Sequence, residues 1–192
     1  MAGLVPAIHA FLQGPTRGPF LFGAAVNKPR LTQQRVQELL EYDEHSGEFR
    51  WRVTKNPNIR KGEVAGCQAR SEYWSIHIDG RNYRAHQLAW LYVKGEWGRP
   101  LIDHRDGNPL NNRWTNLRLA THTNNAANRP RLPRNTSGFK GVSFDRRRGA
   151  WAAQITKEGK RYFIGRYATP EEAHAAYVAK ARELFGEFAR VE

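Results

Sequence analysis

Apolar residues recur along this chain with two different periods. Thr32 precedes Val36, Leu39 and Leu40, a spacing that puts three apolar side chains on one face of a short helix capped by the threonine. Turn-forming residues 43–47 end that helix, and residues 48–52 read as a strand that carries Phe49 and Trp51 into a core. Over residues 73–79 the period becomes two, with Trp74, Ile76 and Ile78 on one side. Asp79-Gly80 predicts a hairpin turn into a return strand at 82–85, and a short helix follows over 86–94. After residue 138 three short strands, 141–144, 151–156 and 160–167, are divided by the tight turns RRRGA and KEGK. Thr169-Pro-Glu-Glu then supplies a capping box with Pro170 at the first helical position. Ala173, Ala176, Tyr177, Ala181 and Leu184 form an apolar stripe that Gly186 ends. The fold class is α+β, with a small three-stranded antiparallel sheet packed on one helix in its last part, and neither an internal repeat nor a coiled-coil heptad is present.

Between these regions the pattern fails. Residues 101–128 are turn-rich and polar, and residues 129–137 form a basic linker with two prolines, Pro130 and Pro133. A chain of 192 residues suits two small units, 31–128 and 138–192. Residues 1–30, with three prolines and four glycines before Asn27, have neither the apolar length of a membrane span nor the basic front of a signal peptide. They are expected to be a disordered extension, or sequence read through from a start codon placed too far upstream.

Charge and cysteine content narrow the chemistry. The single cysteine, Cys67, makes no intramolecular disulfide and belongs to no CxxC pair, so a reducing compartment is expected and any metal should have oxygen or imidazole ligands. Net charge is +13, the profile of a protein that neutralises phosphates. It is unevenly spread. Residues 129–166 carry eleven Lys/Arg against Asp145 and Glu158, a local +9, whereas residues 31–128 carry fourteen against eleven, only +3.

The stretch LIDHRDGNPLNNRWTNLRLATHTNNAANR packs an Asp-His pair and many asparagines into fewer than thirty residues. Its plain reading is structural: Asp106-Gly107-Asn108-Pro109 as loop chemistry and asparagines as caps. As a group it resembles the HNH nuclease motif of phage and bacterial homing endonucleases, and RNYRAHQLAWLYVKGEW resembles the segment that leads into it. The resemblance spans residues 31–128. It implies a ββα-metal (His-Me finger) fold in which a hairpin and helix hold one divalent ion, Mg²⁺ with Mn²⁺ as substitute. It also implies that Asp103 is a metal ligand, His104 the general base, Asn116 the residue that orients the histidine, and Asn125 the second metal ligand. His122, three residues earlier, is the alternative second ligand. A neutral imidazole is suited to take a proton from water near neutral pH, and a hard cation with few protein oxygens to stabilise phosphate charge. His9, His45, His77, His86 and His174 lack this company and read as surface or packing residues; His86 opens the helix leading into the motif.

GFKGVSFDRRRGAWAAQITKEGKRYFIGRYATPEEAHAAYVAKARELFGEFARV resembles the plant Apetala-two/ethylene-response-factor DNA-binding domain, through Gly141-Val142, Trp151-Ala-Ala-Gln-Ile155, Phe163-Ile-Gly165 and Glu171-Glu-Ala173. In that family the sheet enters the major groove. The resemblance implies DNA contacts from Arg161 and Phe163, and the charge adds Arg146, Arg147, Arg148 and Lys160. Tyr177 and Trp151 read as core. Ser143 and Asp145 stand near positions where plant members carry arginines, so sequence preference does not transfer.

Together the two resemblances imply a metal-dependent DNA endonuclease of a phage or mobile element, acting on double-stranded DNA, cytoplasmic and nucleoid-associated, with no membrane association; the oligomeric state is left open, with a monomer favoured. The basic module would supply affinity, so that its loss weakens binding more than chemistry. The alternatives are a non-catalytic DNA-binding regulator that keeps the fold, and an RNA-binding factor.

Overall fold

A computed structural model describes residues 30–68, 72–131 and 135–191. Residues 31–192 cluster as one unit, and the expectation for residues 1–30 lies outside the described residues but for Arg30. Thr32 caps α1 (Gln33–Leu39) by accepting from the Arg35 N–H at 3.2 Å. The helix stops before Leu40, which was expected on its apolar face. Leu40-Glu41-Tyr42 alternates buried, exposed, buried, and pairs as β1 (Leu40–Tyr42) with β2 (Phe49–Trp51). A period-two tripeptide with a strand to pair with wins over one more turn of a short helix.

The turn between β1 and β2 serves the distant loop described below. Gly47, at φ 79°, lies so close to that loop that a Cβ would stand 2.4 Å from the Asn112 carbonyl carbon. Tyr42 donates its hydroxyl to the Asn112 carbonyl at 2.6 Å, and the Trp114 N–H donates to the carbonyl of Glu44.

β3 (Cys67–Gln68), β4 (Trp74–Ile78) and β5 (Arg81–Arg84) form an antiparallel sheet in that order. α2 (Ala85–Lys94) packs on it, ending at Gly95 in the left-handed conformation. Ile76, Ile78, Leu88, Leu91, Phe49 and Val36 are almost wholly buried in one core, each side chain contributing roughly 1.5–3 kcal/mol. β6 (Leu101–His104) and β7 (Leu117–Ala120) make an antiparallel hairpin in which Asp103 faces Arg118 and His104 faces Leu117. Its loop ends in a single 3-10 turn, Trp114–Asn116. α3 (His122–Ala127) follows, capped by Thr121.

The second core is separate. β8 (Val142–Asp145), β9 (Ala150–Lys157) and β10 (Lys160–Tyr167) form a sheet in the order β10-β9-β8, within a residue or two of the expected strands. α4 (Pro170–Phe185) starts with the full Thr169/Glu172 capping box. Val142, Ala153, Ile155, Ala173, Tyr177, Ala181 and Phe185 are buried between them, with Trp151 packed alongside. Gly141 is required where it stands: at φ 74°, a Cβ would lie 2.2 Å from the Tyr177 ring.

Past α4 the chain turns through Gly186–Phe188 and lies against the β6–β7 hairpin. No helix among the described residues is long and apolar enough to cross a membrane.

Candidate functional site

The hairpin β6–β7 and helix α3 bring four polar side chains into a small volume. Successive strand residues point to opposite faces, so Asp103 and His104 leave β6 in different directions. Asp103 is buried and faces Arg118, also buried. The Arg118 Nε donates to Asp103 Oδ2 at 2.9 Å, and Nη2 lies 2.9 Å from the same oxygen. Asn128, at the C-terminal end of α3, donates its amide to Oδ1 and Oδ2 of Asp103 (3.1 and 3.0 Å) and to the His104 carbonyl at 2.7 Å. The carboxylate is thus fixed from two elements, with an open lone pair on Oδ1 among the described contacts.

His104 points toward α2. Its Nε2 lies 3.2 Å from Asn112 Oδ1, and its ring meets His86 edge to face, with centres 5.0 Å apart. Tyr73 lies 6.3 Å from His104 and 5.2 Å from His86. Burial pushes the His104 pKa below the usual imidazole value, against the opposing pull of Asn112, Asp106 and Asp103. Burial together with the neighbouring His104 and Arg84 pushes His86 down to about 3. Both rings are neutral at physiological pH.

Asn116, expected to orient the histidine, turns elsewhere. Its amide donates to Asp106 Oδ1 (2.9 Å) and the Asn111 carbonyl (2.8 Å), and its oxygen accepts from the Asp106 N–H. It thereby holds the loop that carries Asn112. The Asp106 carboxyl is held below the usual range: burial opposes this, but hydrogen bonds from Asn108, Asn111 and Asn116 outweigh it. Asn125 is half-buried on α3, three residues before Asn128 and so on the same helical side. His122 is exposed at the first position of α3. Among the described residues no three His, Cys, Asp or Glu side chains gather as a metal cluster.

Three partners in this site were not singled out from the sequence. Arg118 becomes visible only with the hairpin register, fifteen residues from Asp103. Asn112 and Asn128 were hidden among many asparagines. His86 carried a signal in its position at the start of α2.

The other candidate surface lies on β8–β10. Arg146, Arg147 and Arg148 are all exposed in the β8–β9 turn. Arg161 and Phe163 pair with Thr156 and Gln154, so they share the sheet face turned away from α4. Phe163 is 54% exposed, with the Arg166 guanidinium 4.8 Å above its ring. Lys160 pairs with Lys157 and takes the opposite face.

Comparison with known proteins agrees with both places. The family model for HNH endonucleases matches residues 83–127, and that for the AP2 domain matches residues 137–187. Protein 3.8 of Escherichia phage T7 is 44% identical over 108 residues, which cover 56% of this chain and 88% of that protein. An uncharacterized HNH endonuclease, L560, of Acanthamoeba polyphaga mimivirus is 39% identical over 88 residues, covering 46% of this chain and 44% of that protein. No solved structure matches.

Proposed function

Since the chain belongs to the HNH endonuclease family and carries an AP2 domain, we propose that it is a metal-dependent endonuclease that hydrolyses phosphodiester bonds in duplex DNA. Residues 31–128 form its cutting module and residues 138–192 its DNA-binding module, joined by residues 129–137. The observation that carries this reading is His104: a buried, neutral imidazole hydrogen-bonded through Nε2 to Asn112 and adjacent in sequence to a fixed carboxylate. With Nε2–H donated to the Asn112 oxygen, Nδ1 keeps its lone pair and takes the proton of the attacking water.

The residues near Asp103 suit a hard divalent cation. The oxygens that would hold it are those of the Asp103 carboxylate and, as the resemblance implies, the side-chain oxygen of Asn125, a residue of the helix α3 whose end brings Asn128 to Asp103. One carboxylate with coordination places left for water is the pattern of Mg²⁺, and Mn²⁺ would substitute. Such an ion supplies stabilisation of charge on the phosphate and the departing sugar oxygen. Arg161, Phe163 and the arginines of the β8–β9 turn hold duplex DNA, with Lys160 contributing from the edge of the hairpin.

The test is incubation of supercoiled plasmid with Mg²⁺ or Mn²⁺ beside His104→Ala. Conversion to nicked or linear DNA by the wild type and its loss in the variant are expected; intact DNA across a broad pH range would sink the reading. One observation favours a second reading. Asp103 is already neutralised by Arg118, as in a DNA-binding regulator that has kept the fold without the chemistry. That reading predicts salt-sensitive binding with no metal-dependent cleavage.

A further inference from the structure

Arg118 is held from two sides, and only one belongs to the nuclease module. Its inner side meets Asp103. On its outer side Nη1 donates to the Glu187 carbonyl at 2.8 Å and lies 3.7 Å from that residue's carboxylate. The Phe188 ring covers the guanidinium with 3.7 Å between the guanidinium carbon and the ring centre. That is close contact for a cation on an aromatic face. Glu187 also pairs with Arg105, the residue after His104. Arg190 donates to the Asp106 carbonyl at 3.1 Å, and Gly107 leaves room for it: a Cβ there would stand 2.0 Å from Arg190 Nη1.

A second lock is formed by Lys140. Its ammonium donates to the carbonyls of Ala127 and Arg129, the end of α3 next to Asn128, and to the Arg190 carbonyl. A cation on the last carbonyls of a helix satisfies them and favours the helix end. Both residues that fix Asp103, Arg118 and Asn128, are therefore braced by the AP2 module.

We propose that Glu187 and Phe188 are positioning residues for cutting: they seat Arg118, which holds the Asp103 carboxylate in place, so the docked C-terminal segment completes the nuclease site. The inference rests on the nuclease reading above. The AP2 module is then more than a tether that raises local DNA concentration, because its loss would loosen Asp103 even at saturating DNA.

The physical signature is the need for an aromatic ring at 188. Leucine fills apolar space but has no π face for a guanidinium; tyrosine keeps it. The experiment uses the full chain with Phe188→Leu, Phe188→Tyr and Arg118→Lys. Single-turnover plasmid cleavage is measured at saturating enzyme, DNA affinity by fluorescence anisotropy in EDTA, and the Arg118 Nε–H resonance by NMR, assigned by its absence in Arg118→Lys. Phe188→Leu is expected to cut about tenfold or more slowly, the loss common when a residue supporting a ligand is removed, with affinity changed less than about twofold. Phe188→Tyr should restore the rate. The Arg118 Nε–H signal should be sharp and slow to exchange in the wild type and with tyrosine, and broadened with leucine.

Wild-type cutting by Phe188→Leu, or equal loss with leucine and tyrosine, overturns the proposal. If the wild type itself cuts no DNA, the nuclease reading fails, and the resonance alone decides the brace: unchanged in Phe188→Leu, it overturns it. If leucine unfolds the chain, Phe188→Met carries the test, since it fills apolar space without a π face and leaves the Arg118–Asp103 contact in place. Slow cutting at unchanged affinity supports the brace, and wild-type cutting overturns it.

Discussion

Asn112 Oδ1 lies 3.2 Å from His104 Nε2, and both residues are buried. Because the Asn112 amide nitrogen is turned to the Leu110 carbonyl, the oxygen faces the ring, which fixes the tautomer with the proton on Nε2. Asn112→Ala should therefore lower single-turnover cleavage by about 10- to 100-fold, the range for losing a residue that orients a reacting group, with DNA affinity unchanged. Asn116→Ala should reduce cleavage and also thermal stability, because it releases three hydrogen bonds in the loop. Paired cleavage and melting measurements separate the two; equal melting temperatures for both variants would contradict this assignment.

The pH dependence follows from burial. The His104 pKa is lowered, so the base stays unprotonated below the usual imidazole pKa of about 6.5, and the acid limb of the cleavage profile should fall below that value. Asn112→Asp puts a carboxylate beside the ring and should move the limb upward.

Stability has its own sign. His86 folds with a pKa of about 3 against about 6.5 unfolded. Between these values the unfolded chain binds the proton and the folded chain does not. Stability from this group is thus complete above pH 6.5 and falls as pH drops toward 3, by up to about 1.4 kcal/mol per pH unit. Denaturant melts at pH 7, 5.5 and 4.5 should show this decline, and His86→Leu should flatten part of it.

What the sequence revealed was local. The Thr169 capping box, the alternation at Trp74, Ile76 and Ile78, and the turns of the last sheet depend on neighbours a few residues away, and each element formed near its expected place. Leu40 was less legible, because an apolar residue at a helix end also suits a strand, and the choice depended on pairing with Trp51. The site was legible in kind but not in contacts. Asp103 and His104 stand together by sequence alone, whereas the partner of the imidazole is selected by the loop path, which Gly47 and Tyr42 set from far upstream. Arg118 required the register of a hairpin with a twelve-residue loop between its strands.

Binding to DNA should separate residues by sheet face. Arg161 lies on the outward face with Phe163, while Lys160 takes the other. If the outward face meets phosphates, Arg161→Ala should reduce the slope of log K against log salt by about 1, and Lys160→Ala should reduce it less. Anisotropy titrations across a salt series check this, and a larger loss for Lys160→Ala would point to the opposite face.

The buried pair of Asp103 and Arg118 makes the last prediction. Removing one member leaves the other's charge uncompensated in the interior, typically a loss of about 3–5 kcal/mol. Arg118→Met should thus be strongly destabilising in urea unfolding at pH 7, and more so than Arg118→Met combined with Asp103→Asn, because the double variant leaves no orphaned carboxylate. The coupling in that cycle should reach about 1–3 kcal/mol. If the two losses simply add, Asp103 is held mainly by the amide of Asn128, and Asn128→Ala should then give the larger drop in stability.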